Sequence, residues 1–278
     1  MKFFLLLLSV PVAAMAGDPD FDSYWHDGKA ELNGYRMTIS RYGQVRQAQG
    51  VAIYVTEPFS KSKNVKVNDP NRDLSDVVDV LKLNLVRDFQ TGIYDYNTMV
   101  SVFVRTSDLS PVKVSFSSAE WCGHVFEELL FHPGRIAGFY NSYFEGETGQ
   151  RDLAWPEEGI TEDNLWILFR GLRGEFLKPG GKKSVPFLPG VYFGRLAHKP
   201  LAWTTAEISR DGNLYTIKLA DGRIGKFTIE AEYPHRITRW EMFPDISAEL
   251  TGSARLEYWR LHDNGDESYL KQLGLKPQ

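Results

Sequence analysis

Apolar and polar residues alternate with a period of two along much of this chain, which is the pattern of half-buried strands. The segments "GVAIYVTE" (50–57), "VLKLNLV" (80–86), "NTMVSVFVR" (97–105) and "PVKVSFS" (111–117) are also rich in β-branched and aromatic residues and are predicted as strands. In "HVFEELLFHPGRIAGFYNSYFE" (124–145) two such runs flank "HPGR", which predicts a hairpin. A helix competes there, because Ser117 and Glu120 form an S-x-x-E box and Cys122, Val125, Phe126 and Leu129 fall at helical spacing. It would carry Gly123 in its first turns at about 1 kcal/mol relative to Ala, so the hairpin is preferred.

From Leu201 onward the pattern sharpens. "LAWTTAEIS", "NLYTIKLA" and "IGKFTIEAEY" are separated by Asp211-Gly212 and Asp221-Gly222, strong hairpin signals that predict an antiparallel meander. "RITRWEM" and "ISAELTGSARLEYWRL" extend it, the second with a bulge or a close backbone approach at Gly252. The one strong helix is "TEDNLWILFRG" (161–171), with Thr161 to cap it, Glu162 and Asp163 in its first turn and Gly171 to end it. Its apolar residues are continuous, so it should be covered on most sides. "KPGGKKSVPFLPG" (178–190) is expected to be a loop or linker, and "DESYLKQLG" a short C-terminal helix with Asp266 as its cap and Gly274 beyond it.

These elements predict a mainly β fold: an antiparallel curved sheet or incomplete β-barrel wrapped around one core helix at about 161–171. No fixed-period repeat, low-complexity tract or composition boundary divides residues 17–278, which are expected to form a single β-rich domain. Residues 1–16, "MKFFLLLLSVPVAAMA", read as a signal peptide: one Lys, a short apolar run, and small residues Ala14 and Ala16 before Gly17. Cleavage there leaves a soluble periplasmic or secreted protein without a transmembrane segment, since no other apolar run approaches a membrane span. The formal net charge is -4, mildly acidic, which argues against capture of nucleic acid.

Cys122 is the single cysteine, so no internal disulfide can form and stability rests on apolar burial. It is expected to be a shielded core thiol. If 115–129 ran as one strand, Glu120, Cys122 and His124 would share a face with Val112, Val114 and Phe116, making these three the candidate catalytic residues. Same-face residues on a strand are roughly 6.5–7 Å apart, too far for three ligands to meet a zinc ion at about 2.0–2.3 Å, so no metal site is expected. Other acid-rich clusters are Glu145, Glu147 and Asp152, the pair His26 and Asp27, and His262 with Asp263 and Asp266; each is expected to be solvated loop. No phosphate loop, G-x-G-x-x-G, H-E-x-x-H, G-x-S-x-G or paired C-x-x-C occurs, so no cofactor is expected.

"YWHDGKAELNGYRM", "LKLNLVRDFQTGIYDY", "VKVSFSSAEWCGHVF", "SYFEGE" and "RLEYWRLHDNGDESYLKQLGL" resemble an uncharacterised bacterial family of exported proteins and lipoproteins, sometimes loosely labelled septum formation inhibitor. True Maf nucleotide pyrophosphatases are cytoplasmic and open with a Ser-Pro-Arg motif that this chain lacks. The resemblance implies residence in the cell envelope and carries no catalytic residues with it. The chain departs from the lipoprotein members in having no cysteine at the expected signal-peptide junction to lipidate. The leading expectation is a non-enzymatic envelope protein whose curved sheet binds a lipid-like apolar ligand or a protein partner. The alternatives are an envelope hydrolase or thiol enzyme using Cys122 with His124, supported by Glu120, and an assembly protein whose sheet is filled from within.

Overall fold

A computed structural model describes residues 19–69, 71–243 and 246–277. The expected signal peptide lies outside the described residues. The chain opens with helix α1 (Pro19–Trp25) and continues into β1 (Ala30–Arg41), β2 (Gln44–Ser60), β3 (Val65–Lys66), β4 (Val77–Thr91), β5 (Tyr94–Arg105), β6 (Pro111–Glu120), β7 (Gly123–His132), β8 (Arg135–Ser142) and β9 (Gly149–Ala154). After β10 (Ile160–Thr161) a 3-10 turn (Glu162–Asn164) runs into α2 (Leu165–Leu168). Then come β11 (Lys182–Leu188), α3 (Val191–Leu196), β12 (Thr204–Asp211), β13 (Leu214–Leu219), β14 (Ile224–Ile229), β15 (Ile237–Phe243), β16 (Ile246–Leu256) and a C-terminal 3-10 helix (Asp266–Leu273).

All sixteen strands belong to one sheet in the order β10-β11-β12-β13-β14-β15-β16-β1-β2-β4-β5-β6-β7-β8-β9, with β3 beside β2. Every pair is antiparallel except β10 with β11. The sheet is large, curved and unclosed, with β9 and β10 as its ends. The strands at 50–57, 80–86, 97–105 and 111–117, the hairpin around Pro133-Gly134 and the meander β12-β13-β14 match the sequence reading. One assignment is corrected: "KPGGKKSVPFLPG" is not all loop, because Lys182–Leu188 pairs along β12. In "YWHDG", Tyr24 and Trp25 close α1, whose Phe21 and Trp25 are fully buried, while His26 and Asp27 lie in the exposed bend after it.

Why one face is buried is plain in β4, where Leu81, Leu83, Leu85 and Phe89 alternate with partly exposed neighbours. A continuous apolar cluster joins these to Tyr35, Met37 and Val102 of one half and to Ile208, Ile217, Phe227 and Trp240 of the other. The concavity is filled by the predicted core segment. Trp166 packs edge-on against Phe227 at 5.2 Å and Trp240 at 5.1 Å, and Phe169 stacks on Tyr215 at 4.2 Å. Gly171 ends the segment at φ +61°, as expected of a left-handed stop. No described helix is long and apolar enough to cross a membrane.

The strand connections sort to two ends. At one end, α1 is held by Trp25 Nε1 donating to the Tyr233 hydroxyl (3.0 Å), with Arg170 and Glu31 buried beside it. At the other, the segment after β11, including α3, lies over the first turn of the core helix.

The C-terminal 3-10 helix docks on the outer side of β1 and β16 through two glycines. The register slips between Gly34 and Tyr35, opposite Gly252, and a Cβ at Gly34 would lie 2.1 Å from the Leu273 carbonyl oxygen. At Gly252 it would lie 2.3 Å from that of Gln272. The bend read at Gly252 is therefore both a bulge and a close approach. Gly34→Ala should undock residues 266–275 at a loss of about 1–3 kcal/mol. Hydrogen exchange would show protection lost in that segment and retained in β4 and β5.

Candidate functional site

The expected reactive cluster does not assemble. Trp121 and Cys122 form the turn between β6 and β7, so Glu120 pairs with Gly123 rather than continuing a single strand. Cys122 is exposed, which corrects the expectation of a shielded core thiol. Trp121 beside it is also exposed, and its indole Nε1 donates to Asp95 at 3.0 Å. Glu120 accepts from the Cys122 backbone N–H at 2.9 Å, and its carboxylate raises the thiol pKa, chiefly by hydrogen bonding, with burial and charge adding to it. A nucleophilic cysteine needs the opposite shift. The His124 side chain is exposed on β7 and forms no hydrogen bond or ion pair with Glu120 or Cys122 among the described residues.

The other clusters are either taken up by basic partners or stay together in solvent. Glu147 is taken up by Arg195 (3.4 Å) and His198 (2.6 Å), Asp152 by Arg135 (2.8 Å), and Glu145 is exposed. Asp27 pairs with Arg255 rather than His26, whereas His262 and Asp263 lie 3.7 Å apart with both side chains exposed and Asp266 accepts from the Asp263 backbone N–H at 3.0 Å, an exposed loop cluster as expected. No group of three potential metal ligands occurs among the described residues.

What the fold does assemble lies along the core helix. Thr161 stands at its N-cap position with extended backbone angles, yet its side chain makes no capping hydrogen bond. This differs from the expected cap. Thr161 Oγ1 and, one turn on, Asn164 Oδ1 are both fully buried without a hydrogen-bond partner. Both residues line a hollow of about 240 Å³ with Leu109, Trp155, Ile160, Leu168 and Phe176.

That hollow lies at the seam of the sheet. Trp203 Nε1 donates to the Ala154 carbonyl at the end of β9 (2.9 Å), Trp155 and Trp203 meet edge to face at 5.6 Å, and Lys183 of β11 pairs with Glu158 at 2.8 Å. The seam exists because β10 pairs with β11 over only Ile160 and Thr161, so no ladder joins it to β9. The result is a mainly apolar recess, with Glu158 and Lys183 also in its lining, and with two buried, unpartnered oxygens on its lining residues Thr161 and Asn164. A larger hollow of about 340 Å³ lies under the C-terminal helix among Leu32, Leu256, Leu270 and Leu273, but no orphaned buried polar atom lines it among the described residues.

The upper interior is charged. Glu162 accepts from the Gly190 N–H (3.0 Å) and Asp163 from the Val191 N–H (3.1 Å), tying the first turn of the core helix to α3. Arg223 reaches Glu162 at 3.3 Å and lies over the Phe193 ring at 3.6 Å, while buried Glu127 receives Arg151 and Arg195, the latter at 2.9 Å. Burial, then the charge of Glu162, pushes the Asp163 carboxyl up to about 7 against the opposing pull of the Val191 N–H and Arg87.

Sequence reasoning missed these interior charges although a signal was present. Arg87 continues the inward phase Leu81, Leu83, Leu85, and Glu31 shares the inward phase of Asn33, Tyr35 and Met37. A charge at an inward position of an alternating strand needs a buried partner or a ligand.

No family model matches the chain, and no curated protein matches it. Among solved structures, it is similar to a β-barrel-like protein of the domain of unknown function DUF1849 from Brucella abortus, at TM-score 0.45 and 8% identity over 82% of this chain and 98% of that one. A DUF1089 family protein from Pseudomonas aeruginosa matches at TM-score 0.38 and 11% identity, over 58% of this chain and 83% of that one.

Proposed function

We propose that this is a non-enzymatic binding module of the bacterial cell envelope, exported by its N-terminal segment. Its ligand is a small, mainly apolar molecule presenting O–H or N–H donors. The observation that carries this reading is that two residues lining the mainly apolar seam hollow, Thr161 and Asn164, each hold a buried oxygen without a hydrogen-bond partner, Thr161 Oγ1 and Asn164 Oδ1. Leaving a buried acceptor unsatisfied costs about 1–3 kcal/mol, so such atoms persist where a ligand gives them partners. At about 240 Å³ the recess is smaller than the roughly 300–1,000 Å³ of drug-sized sites, which favours a compact aromatic or short-chain molecule over a whole lipid. The sheet's concave face is taken by Trp166 and Phe169. The resemblance to an exported family fits this reading, and so does a protein partner reached through the same ligand.

The test uses N-phenyl-1-naphthylamine, a neutral aromatic probe with one N–H donor. Saturable binding with energy transfer from Trp155 and Trp203 is expected. Thr161→Val with Asn164→Leu should weaken binding about 5- to 100-fold while raising the stability of the ligand-free protein by about 1–3 kcal/mol, because two orphaned oxygens are removed. No saturable binding, or binding and stability both unchanged in the double variant, would contradict the proposal.

A further inference from the structure

On the face of the core helix turned toward β4 and β15, three buried donor groups gather without an acceptor. Arg87 is 3% exposed, and its Nε and Nη1 have no hydrogen-bond partner. Trp166 Nε1 and Trp240 Nε1 are buried and equally unpartnered. The two indole rings lie 5.9 and 5.7 Å from the Arg87 guanidinium carbon, and Tyr192 presents its ring to the same group at 4.3 Å. No salt bridge joins Arg87 to a carboxylate among the described residues, although the charges of Asp163 and Glu162 act on it through space.

This arrangement leaves a deficit. Cation–π contact with a desolvated guanidinium is worth about 2 kcal/mol, whereas burying an unpaired charge costs several kcal/mol even after relaxation. The neighbouring acids are committed elsewhere, Glu162 to Gly190 and Arg223, Asp163 to Val191. Asp163 is moreover pushed up to about 7, which weakens its repulsion of a second negative charge near neutrality.

We infer that the upper interior holds a compact anion, a halide or a small carboxylate, hydrogen-bonded by Arg87 and by the indole N–H groups of Trp166 and Trp240. This site is independent of the seam hollow, whose lining includes none of these three residues. It supplies the acceptor that all three donors lack and neutralises the buried guanidinium. Arg87 thus acts as the anchor, with Tyr192 and the two indoles as the walls.

The thermal midpoint of the full chain, measured at constant ionic strength, tests this. Sodium gluconate, too large to enter, is replaced stepwise by sodium bromide or by sodium acetate. A midpoint that rises with bromide identifies a halide site, and one that rises with acetate alone identifies a carboxylate site. Arg87→Met, which replaces the charge by an apolar chain of similar length, should abolish the rise and should itself be at least as stable as the native protein in gluconate. Crystals grown in bromide should carry an anomalous peak within hydrogen-bonding reach of Arg87 and both indole nitrogens. Midpoints indifferent to both salts, an equal response in Arg87→Met, or crystals in which Asp163 itself hydrogen-bonds Arg87 would overturn the inference.

Discussion

Replacing Arg170 by Met should cost about 3–5 kcal/mol of folding stability, among the largest losses available from one substitution. Arg170 and Glu31 are both fully buried, joined at 2.9 Å and again at 3.0 Å in a two-pronged contact. The guanidinium also donates to the Pro234 carbonyl at 3.1 and 2.9 Å and lies over Tyr54 at 4.4 Å. Glu31 accepts from Tyr24 and Asn33, each at 2.7 Å, so its oxygens are well supplied. Removing the arginine alone strands a carboxylate in the interior. Glu31→Leu combined with Arg170→Met removes both charges and should recover at least half of the loss, as denaturant titration of the four proteins in a double-mutant cycle would show. Purely additive losses would mean that the two residues do not act as a pair.

The same pair predicts acid sensitivity. Burial alone would raise the Glu31 carboxyl, but the charge and hydrogen bonds of Arg170, with those of Tyr24 and Asn33, outweigh it and hold the pKa below its ordinary value. A depressed carboxyl contributes stability above its unfolded pKa and loses it as pH falls through the folded one. The Glu31→Leu, Arg170→Met protein should therefore lose less stability than the native protein on acidification below about pH 4.

Trp166→Ala should cost a comparable 3–5 kcal/mol. Its indole is 4% exposed, wedged against Phe227 and Trp240, and its backbone carbonyl accepts from the Tyr54 hydroxyl at 3.1 Å. Truncation keeps that carbonyl and opens a void walled by Phe227 and Trp240, with the Arg87 guanidinium at one side, which its neighbours can only partly close. Such voids take up small apolar molecules. Benzene should accordingly raise the thermal midpoint of the variant and leave that of the native protein unchanged. Equal responses would mean that the native interior already has room.

These expectations divide along what a sequence can carry. Strands and hairpins were legible because Asp211-Gly212, Asp221-Gly222 and the alternation in "VLKLNLV" are local signals. The core segment 161–171 was legible for the same reason, its continuous apolar run leaving no face for water. Lys182–Leu188 was not, because its Gly, Pro and Lys residues describe a loop while its place in the sheet comes from pairing with β12. The Glu120, Cys122 and His124 reading failed at one point, the turn at Trp121 and Cys122, where a break in the strand changes which side chains share a face. The seam oxygens and the Arg87 cluster depend on residues far apart in the chain. Only the inward phase of Arg87 hinted at them.

The central claim is that the sheet is filled by its own helix and takes ligand at the seam. Hydrogen exchange of the amides of residues 165–170 in ligand-free protein tests it most directly. The account predicts protection close to the global unfolding free energy, unchanged when N-phenyl-1-naphthylamine is added beyond the stabilisation that its binding confers on the whole fold. Rapid exchange of this segment in the free protein, with protection gained or lost there alone on adding the probe, would mean that the helix is a displaceable occupant of the concavity and would contradict it.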